Sequence, residues 1–417
     1  MEKFNMRLNS MDNKLFDANA VSATDETIGT GADKLSRNKI IASGRACAVD
    51  YMGRHIARGT GSYVSRFDGS AMSYKALSQA HNEQKFLYCA AMAYASIGAQ
   101  PPQNIEQVRK DVTLWKNPTF LATLARIDTE VVTPMLYDVF SDLGNGMFNM
   151  DSVGLGETKQ IDIQSNDIFL WEDGSWGSGH STTKNYLYAD TVTMNPRQFN
   201  ANGTIKWFQM VATDGGMDAG SYYAALIRGM WSKVMAMATA ALTDSAAQSA
   251  YIPSYLRFNS YSSANWAAAT QAVAVANGVN RDRLMAFGEY AALQAVLPSG
   301  TPVDASLTFG ISDEWMKNGF VSMVGRVPLY EVMPALLPGT INTTGDMIGL
   351  NDQIFITARV GDGLAPVYVC FVDGWPVTLE YTPSTTANFT IDITMSTLLD
   401  VKGIWAGRIA VISNVTI

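Results

Sequence analysis

Three histidines, His55, His81 and His180, are the whole imidazole complement of the chain. None stands at ligand spacing from a second histidine or beside a cysteine pair, so metal catalysis has no anchor. Cys47, Cys89 and Cys370 are odd in number and far apart, which indicates neither a disulfide framework nor a zinc site and fits a reducing compartment. Gly154-Leu155-Gly156-Glu157-Thr158-Lys159 has the look of a phosphate loop, but its spacing and its ending are wrong for one. It reads as a bend leading into a strand. No G-x-S-x-G elbow and no G-x-G-x-x-G turn opens a helix. Asp162, Asp167, Glu172 and Asp173 could attract a cation, but they lack the oxygen-donor spacing of a calcium loop and read as solvated charge. No catalytic residue, metal or cofactor is therefore assigned, although dispersed catalytic groups leave an enzyme open.

The chemistry is then sought in contacts, and the bulk numbers favour that. A chain of 417 residues has room for two or three compact units. Only 16% of its residues are charged while 47% are hydrophobic, a composition suited to a surface that meets other protein. The net charge of -8 argues against a chain devoted to coating nucleic acid. Met1 to Ser10 has no apolar run, so no signal peptide is expected. No stretch approaches the ~18 consecutive apolar residues of a membrane span.

The longest element expected is a helix over Asp218–Leu242. Tyr223, Ile227, Met230, Val234, Met237 and Ala241 recur at steps of three and four, with Ser221, Arg228, Ser232 and Thr239 as a thin polar stripe opposite. Asp218 is the expected cap, and at ~1.5 Å per residue the rod is roughly 37 Å long. Ahead of it, residues 157–212 predict a long two-stranded excursion. Gln160–Gln164 and Asp190–Met194 alternate, with a glycine-rich tip at 172–180 between them. Asn200-Ala201-Asn202-Gly203 reads as a second turn, before Thr204–Phe208. A two-stranded ribbon is marginal alone in water, and Trp171 and Trp176 near its tip would be costly left bare. It is expected to lie on another surface, that of a neighbouring subunit, or else to fold back on its own domain.

Residues 1–33 are polar and aperiodic and read as an arm. Lys34–Arg66 then carries seven positive charges, Lys34, Arg37, Lys39, Arg45, Arg54, Arg58 and Arg66, against Asp50 alone. Such a segment is either a strap against an acidic partner or a solvated loop. Two helices are expected over 71–98, with Asn82 as cap and Gly98 as stop. Asn117-Pro118 starts a third and Thr133-Pro134 a fourth that Gly144 ends. After the rod, helices are expected over 264–277 and 281–297, stopped by Gly278 and Pro298, and a short one over 312–319. Strands follow at 320–324, 327–332, 354–360, 367–372, 375–381, 389–393 and 409–412, with a turn at 383–386. No fixed-period repeat occurs.

The order of parts resembles the major capsid proteins of tailed bacteriophages, the Hong Kong 97-type fold. Residues 157–212 flow straight into the 218–242 helix, as that family's extended E-loop precedes its spine helix. The run Met316–Tyr330, with Arg326 and Val327 before Pro328, resembles the way the family's chain approaches a strand there. Leu398–Ile412 resembles its closing strands. The likeness is one of layout, from about residue 100 onward. It implies an α+β capsid fold: an N-terminal arm at 1–70, peripheral-domain helices at 71–156, the E-loop at 157–212, the spine helix at 213–248, an axial domain at 249–372, peripheral return strands at 373–405 and a final strand at 406–417.

It further implies a non-enzymatic structural protein of the virion. Copies would assemble as hexamers and pentamers, in the host cytoplasm, into an icosahedral head around double-stranded DNA. Scaffolding, portal and decoration proteins would be separate partners, the DNA would be met without sequence specificity, and no membrane would be involved. Trp171, Trp176, Lys184, Arg37, Lys39, Arg45, Arg54 and Arg58 are the expected intersubunit contacts. Lys184 lies where some relatives cross-link an E-loop lysine to an asparagine, but no partner or catalytic carboxylate is evident and no cross-link is expected. A soluble α+β enzyme with the ribbon as a lid, and a β-rich surface or adhesion protein, are the alternatives from other classes.

Overall fold

The computed structural model describes residues 27–28, 35–51, 63–64, 71–72, 74–111, 113–144, 147–164, 189–211, 218–296, 318–340, 342–358, 365–372, 377–383, 389–404 and 409–415. In chain order the principal elements are α1 (Arg37–Tyr51), α2 (Tyr74–Ser96), α3 (Pro118–Gly144), β1 (Phe148–Val153), β2 (Lys159–Gln164), β3 (Ala189–Met194) and β4 (Arg197–Lys206). They continue with α4 (Ala219–Leu242), α5 (Ser263–Asn277), β5 (Leu284–Gly288), β6 (Val327–Glu331), β7 (Ile354–Ala358), β8 (Val367–Val372), β9 (Thr378–Pro383), β10 (Thr390–Gly403) and β11 (Ala410–Ile412). Two compact units result. The first takes residues 1–139, 197–231 and 371–399; the second takes 140–196, 232–370 and 400–417.

In the first unit, Phe86 of α2, Phe120 of α3 and Trp207 pack with ring centroids 5.5–6.5 Å apart. Asn117 caps α3: its Oδ1 accepts from the Thr119 and Phe120 amides at 2.9 and 3.2 Å, and Pro118 fills the first helical position, where a missing N–H does no harm. The helix runs 27 residues straight through Pro134. The break expected at Thr133-Pro134 is therefore absent. Proline removes the N–H that would reach the Glu130 carbonyl one turn back. Arg45 of α1 supplies the missing donor, its Nη2 lying 2.9 Å from the Glu130 oxygen. Likewise 74–96 is one helix rather than two; Asn82 lies inside it, because burial of Leu77, His81, Lys85, Phe86, Tyr88 and Cys89 holds one continuous face. Gly98 still terminates that region with φ 70°.

The sheet material of this unit is antiparallel. Thr378–Pro383 of β9 faces Ile391–Ser396 of β10, and Arg197–Lys206 of β4 faces Thr390–Leu399 on ten consecutive pairs. The turn expected at 200–203 is therefore strand. Its Asn and Gly residues favour turns locally, and the ladder to β10 overrides them.

In the second unit a six-stranded sheet runs 323–324, β6, β5, β7, β11, 257–258. β5 pairs parallel with β6 and antiparallel with β7, so Phe287 and Phe355 stack with centroids 5.5 Å apart. The helix expected over 281–297 is corrected: Leu284–Gly288 is a strand with all five residues buried, followed by a short helix at Tyr290–Gln294. A short, continuously apolar run carries no periodicity that separates the two forms. α5 ends as expected at Gly278, φ 63°, in the left-handed region that glycine enters freely.

The long helix is present as α4. Asp218 accepts from the Ser221 amide at 3.3 Å and from Ser78 Oγ at 2.7 Å, while Ser78 Oγ in turn accepts from the Ala219 amide at 3.1 Å. Tyr223, Ile227, Met230 and Val234 are buried as the spacing predicts. Ser232, placed in the polar stripe, is buried as well; its hydroxyl donates to the Leu336 carbonyl at 2.8 Å. Among the described residues no helix is long and apolar enough to cross a membrane.

Candidate functional site

The ribbon is held by its root. β2 and β3 pair antiparallel from Lys159↔Met194 to Gln164↔Ala189. Ile161 and Met194 point into an apolar cluster with Val153, Ala365, Tyr368, Cys370 and Ile404, with Val192 packed against it. Strand alternation makes this possible, since residues two apart share a face. Polar contacts fix the direction of the strands around that cluster. Lys159 Nζ meets Asp151 Oδ2 at 2.9 Å, the Asn195 amide donates to Asp400 Oδ2 at 3.0 Å, and Lys402 Nζ donates to the Thr193 carbonyl at 2.8 Å. The hydrogen bond to Asp151 raises the pKa of Lys159. Burial pushes the Cys370 thiol up to about 12, so it is a packing group and not a nucleophile. These contacts therefore fix β2 and β3 within the second unit. Partly exposed pairs such as Lys159–Asp151 add little energy but fix register.

The expected contact residues divide into two groups. Trp171, Trp176, Lys184, Arg54 and Arg58 lie outside the described residues, as do Asp167, Glu172 and Asp173. Arg37, Lys39 and Arg45 are described, and all sit on α1. Lys39 is exposed. Arg37 is 2% exposed and pairs with Glu130 of its own chain, which Arg126 also approaches at 3.6 Å. Arg45 is committed to the Glu130 carbonyl. Arg37 and Arg45 thus have partners within their own chain. A 15-residue helix can turn these basic residues inward onto α3 where an extended strap could not.

A second constellation, not foreseen from the sequence, is buried in the first unit. Asp128 is fully buried and accepts from three donors: Lys85 Nζ at 3.1 Å, Tyr223 Oη at 2.6 Å and Tyr381 Oη at 2.5 Å. Tyr222 shares a short hydrogen bond with Tyr381. His81 Nε2 lies 3.1 Å from Tyr223 Oη, and its Nδ1 lies 2.8 Å from Ser43 Oγ. Tyr223 spends its only proton on Asp128, so its oxygen accepts from Lys85 at 3.2 Å and from His81. That assigns the imidazole proton to Nε2 and leaves Nδ1 to accept from Ser43. Burial, then Lys85, holds His81 well below the usual imidazole range. Burial, then the Asp128 charge, pushes Tyr223 and Tyr381 well above the usual phenol range. Nothing here is poised to react: the amine, carboxylate and phenols satisfy one another. The signal in the sequence was His81 four residues before Lys85, both among the apolar residues of one helix.

Among the described residues no three metal-ligating side chains converge. No family model matches the chain, and no curated protein does. Solved structures do. The head of Helicobacter pylori bacteriophage KHP40 is 12% identical over 66% of this chain and 90% of that one, with TM-score 0.43. The mature capsid of bacteriophage PhiM1 is 13% identical over 64% and 85%, with TM-score 0.41. A phage-related protein from Bordetella bronchiseptica RB50 is 13% identical over 69% and 98%, with TM-score 0.42. These are what the chain is similar to; at such identities the weight falls on its own residues.

Proposed function

We propose that this chain is the structural subunit of a tailed-phage head, built on the Hong Kong 97-type plan and acting by burial of surface rather than by bond making. The observation that carries the reading is the clamped ribbon root. Seven buried residues and three polar ties hold β2 and β3 as a pair within the second unit. Such a pair needs a surface beyond itself to be stable. The long α4 helix, also expected of that plan, supports it.

On this reading copies associate through heterologous, rotating contacts into closed hexamers and pentamers. The ribbon tip, with Trp171, Trp176 and Lys184, lies on the adjacent copy. Lys39, Arg54 and Arg58 meet either that neighbour or packaged double-stranded DNA, which they bind through phosphate charge without reading sequence. The finished particle is a virion shell assembled in the host cytoplasm, with scaffolding, portal and decoration proteins as separate chains. The subunit has no catalytic duty.

Negative-stain microscopy of the expressed protein tests this: closed shells or rings are expected. A variant lacking 165–189 should keep the folded subunit's circular dichroism and lose the particles. A parent protein that stays monomeric under every assembly condition sinks the reading, and a deletion variant that assembles normally removes the ribbon from it.

A further inference from the structure

Helix α1 is fastened to the rest of the first unit at two points, and each carries an ionisable side chain. The first is Glu130 of α3, which holds Arg37 through its carboxylate and Arg45 through its carbonyl. The second is His81 of α2. Ser43 binds its Nδ1, and Gly44 lies so close that an added Cβ would stand 2.8 Å from the imidazole Cε1 and 2.9 Å from Val131 Cγ2. Only glycine permits that approach, so the ring packs directly against the α1 backbone.

The groups facing His81 decide what protonation would do. From α1 they are Ser43 and the Ile40 backbone, from its own helix Lys85, and from α4 Tyr223; beyond these, around Tyr223 and Lys85, lie Cys47 of α1, Cys89 of α2, Asp128 of α3, Tyr222 of α4 and Tyr381 of β9. Asp218 binds Ser78, three residues before His81. Of these, Lys85 carries a positive charge, and Asp128 is already engaged by Lys85 and two phenols. An imidazolium would therefore add a buried charge with, among the described residues, no further anion beside it to receive it. The Ser43 hydroxyl, which also lies within donating distance of the Ile40 carbonyl at 2.9 Å, can keep its proton there and accept the new N–H, but it supplies no charge. The ring reaches water most directly if α1 lifts away.

We propose that the seat of α1 on His81 is an acid-sensitive latch: acidification frees α1 while the body of the first unit stays folded. The sign is fixed by linkage. His81 is held neutral below its ordinary value near 6.5, so the closed state is fully favoured above about pH 6.5 and loses ground as pH falls below it. This inference rests on the geometry of one unit and is independent of the shell reading.

Hydrogen exchange of the full chain, followed by mass spectrometry from pH 7.5 to 4.5 and corrected for intrinsic rates, tests it. The opening equilibrium of peptides within 37–51 should rise by up to about tenfold per pH unit below about 6.5, while peptides within 219–231 keep their protection. His81→Gln retains a donor toward Tyr223 and an acceptor toward Ser43 but cannot titrate, so its α1 protection should be flat across the range. Glu130→Gln should still open in acid. Equal acid loss in His81→Gln and the parent overturns the proposal, as does a flat Glu130→Gln, or α1 and α4 losing protection together. Should His81→Gln fail to fold, the imidazole resonance of His81 in the parent decides. Titration coincident with α1 opening supports the latch; titration near 6.5 with α1 still protected refutes it.

Discussion

Asp128→Asn is the sharpest test of the buried network. The substitution changes one heavy atom and leaves the volume nearly unchanged, so packing loss is small. What it removes is charge and acceptor capacity. Asp128 receives Lys85 at 3.1 Å, Tyr223 at 2.6 Å and Tyr381 at 2.5 Å. An amide can accept at one atom only, and its NH2 would face a donor at the other. More costly still, the Lys85 amine, 1% exposed, would lose its carboxylate partner. Removing one partner of a buried pair costs about 3–5 kcal/mol, a large share of the roughly 5–15 kcal/mol that a domain has in total. Tyr381→Phe, which deletes one hydrogen bond to a charged acceptor, should cost less, about 1.5–3 kcal/mol. Urea unfolding at pH 7.5, followed by tryptophan fluorescence and far-ultraviolet circular dichroism, measures both. The discriminating variant is the double Lys85→Met/Asp128→Asn. If the orphaned Lys85 amine is the main cost, adding Lys85→Met recovers part of the stability lost by Asp128→Asn alone. An Asp128→Asn loss below about 1 kcal/mol, or a double variant at the additive sum of the two singles, refutes the reasoning.

Two further outcomes are expected. Ile161→Ala, at a 7% exposed position of the ribbon root, should destabilise the second unit by about 2–5 kcal/mol, measured by chemical denaturation, and should impair particle formation at temperatures where the subunit is still folded. Cys47, Cys89 and Cys370 are all buried, and burial raises the thiols of Cys89 and Cys370. A colorimetric thiol reagent at pH 8 should find no fast-reacting cysteine in the native protein and three after denaturation; a fast native thiol would show that one of these cores opens.

Periodicity and cap chemistry read well where one local rule sufficed. Asp218 and the faces of α4, Asn117-Pro118 at the start of α3, the alternation of β2 and β3, and Gly278 after α5 are all visible in the residues themselves. The misreadings share a cause: a distant element overrode the local signal. Asn200–Gly203 looks like a turn until β10 lies beside it. Leu284–Gly288 is too short and too uniformly apolar to declare its form. Pro134 looks like a helix break until Arg45 arrives from α1. The buried network was least legible, because His81, Lys85, Asp128, Tyr223 and Tyr381 are scattered over some 300 positions and none forms a motif. Only their convergence gives them meaning. Seven basic residues between Lys34 and Arg66 look like one patch, yet helix geometry turns Arg37 inward while leaving Lys39 outside.

Pro134 has one more implication. A helix with a proline in its interior presents a carbonyl that its own backbone can never satisfy, whatever the conditions. α3 therefore carries a permanent vacancy at Glu130, and the guanidinium that fills it comes from a segment made some eighty-five residues earlier. During synthesis the Arg45 bond must wait until Glu130 has emerged, although α1 can already seat on His81 of α2. The proline thus works as a timing mark as well as a punctuation: it reserves a place on a later helix for an earlier one, and α1 can complete its contacts only after α3 has taken shape.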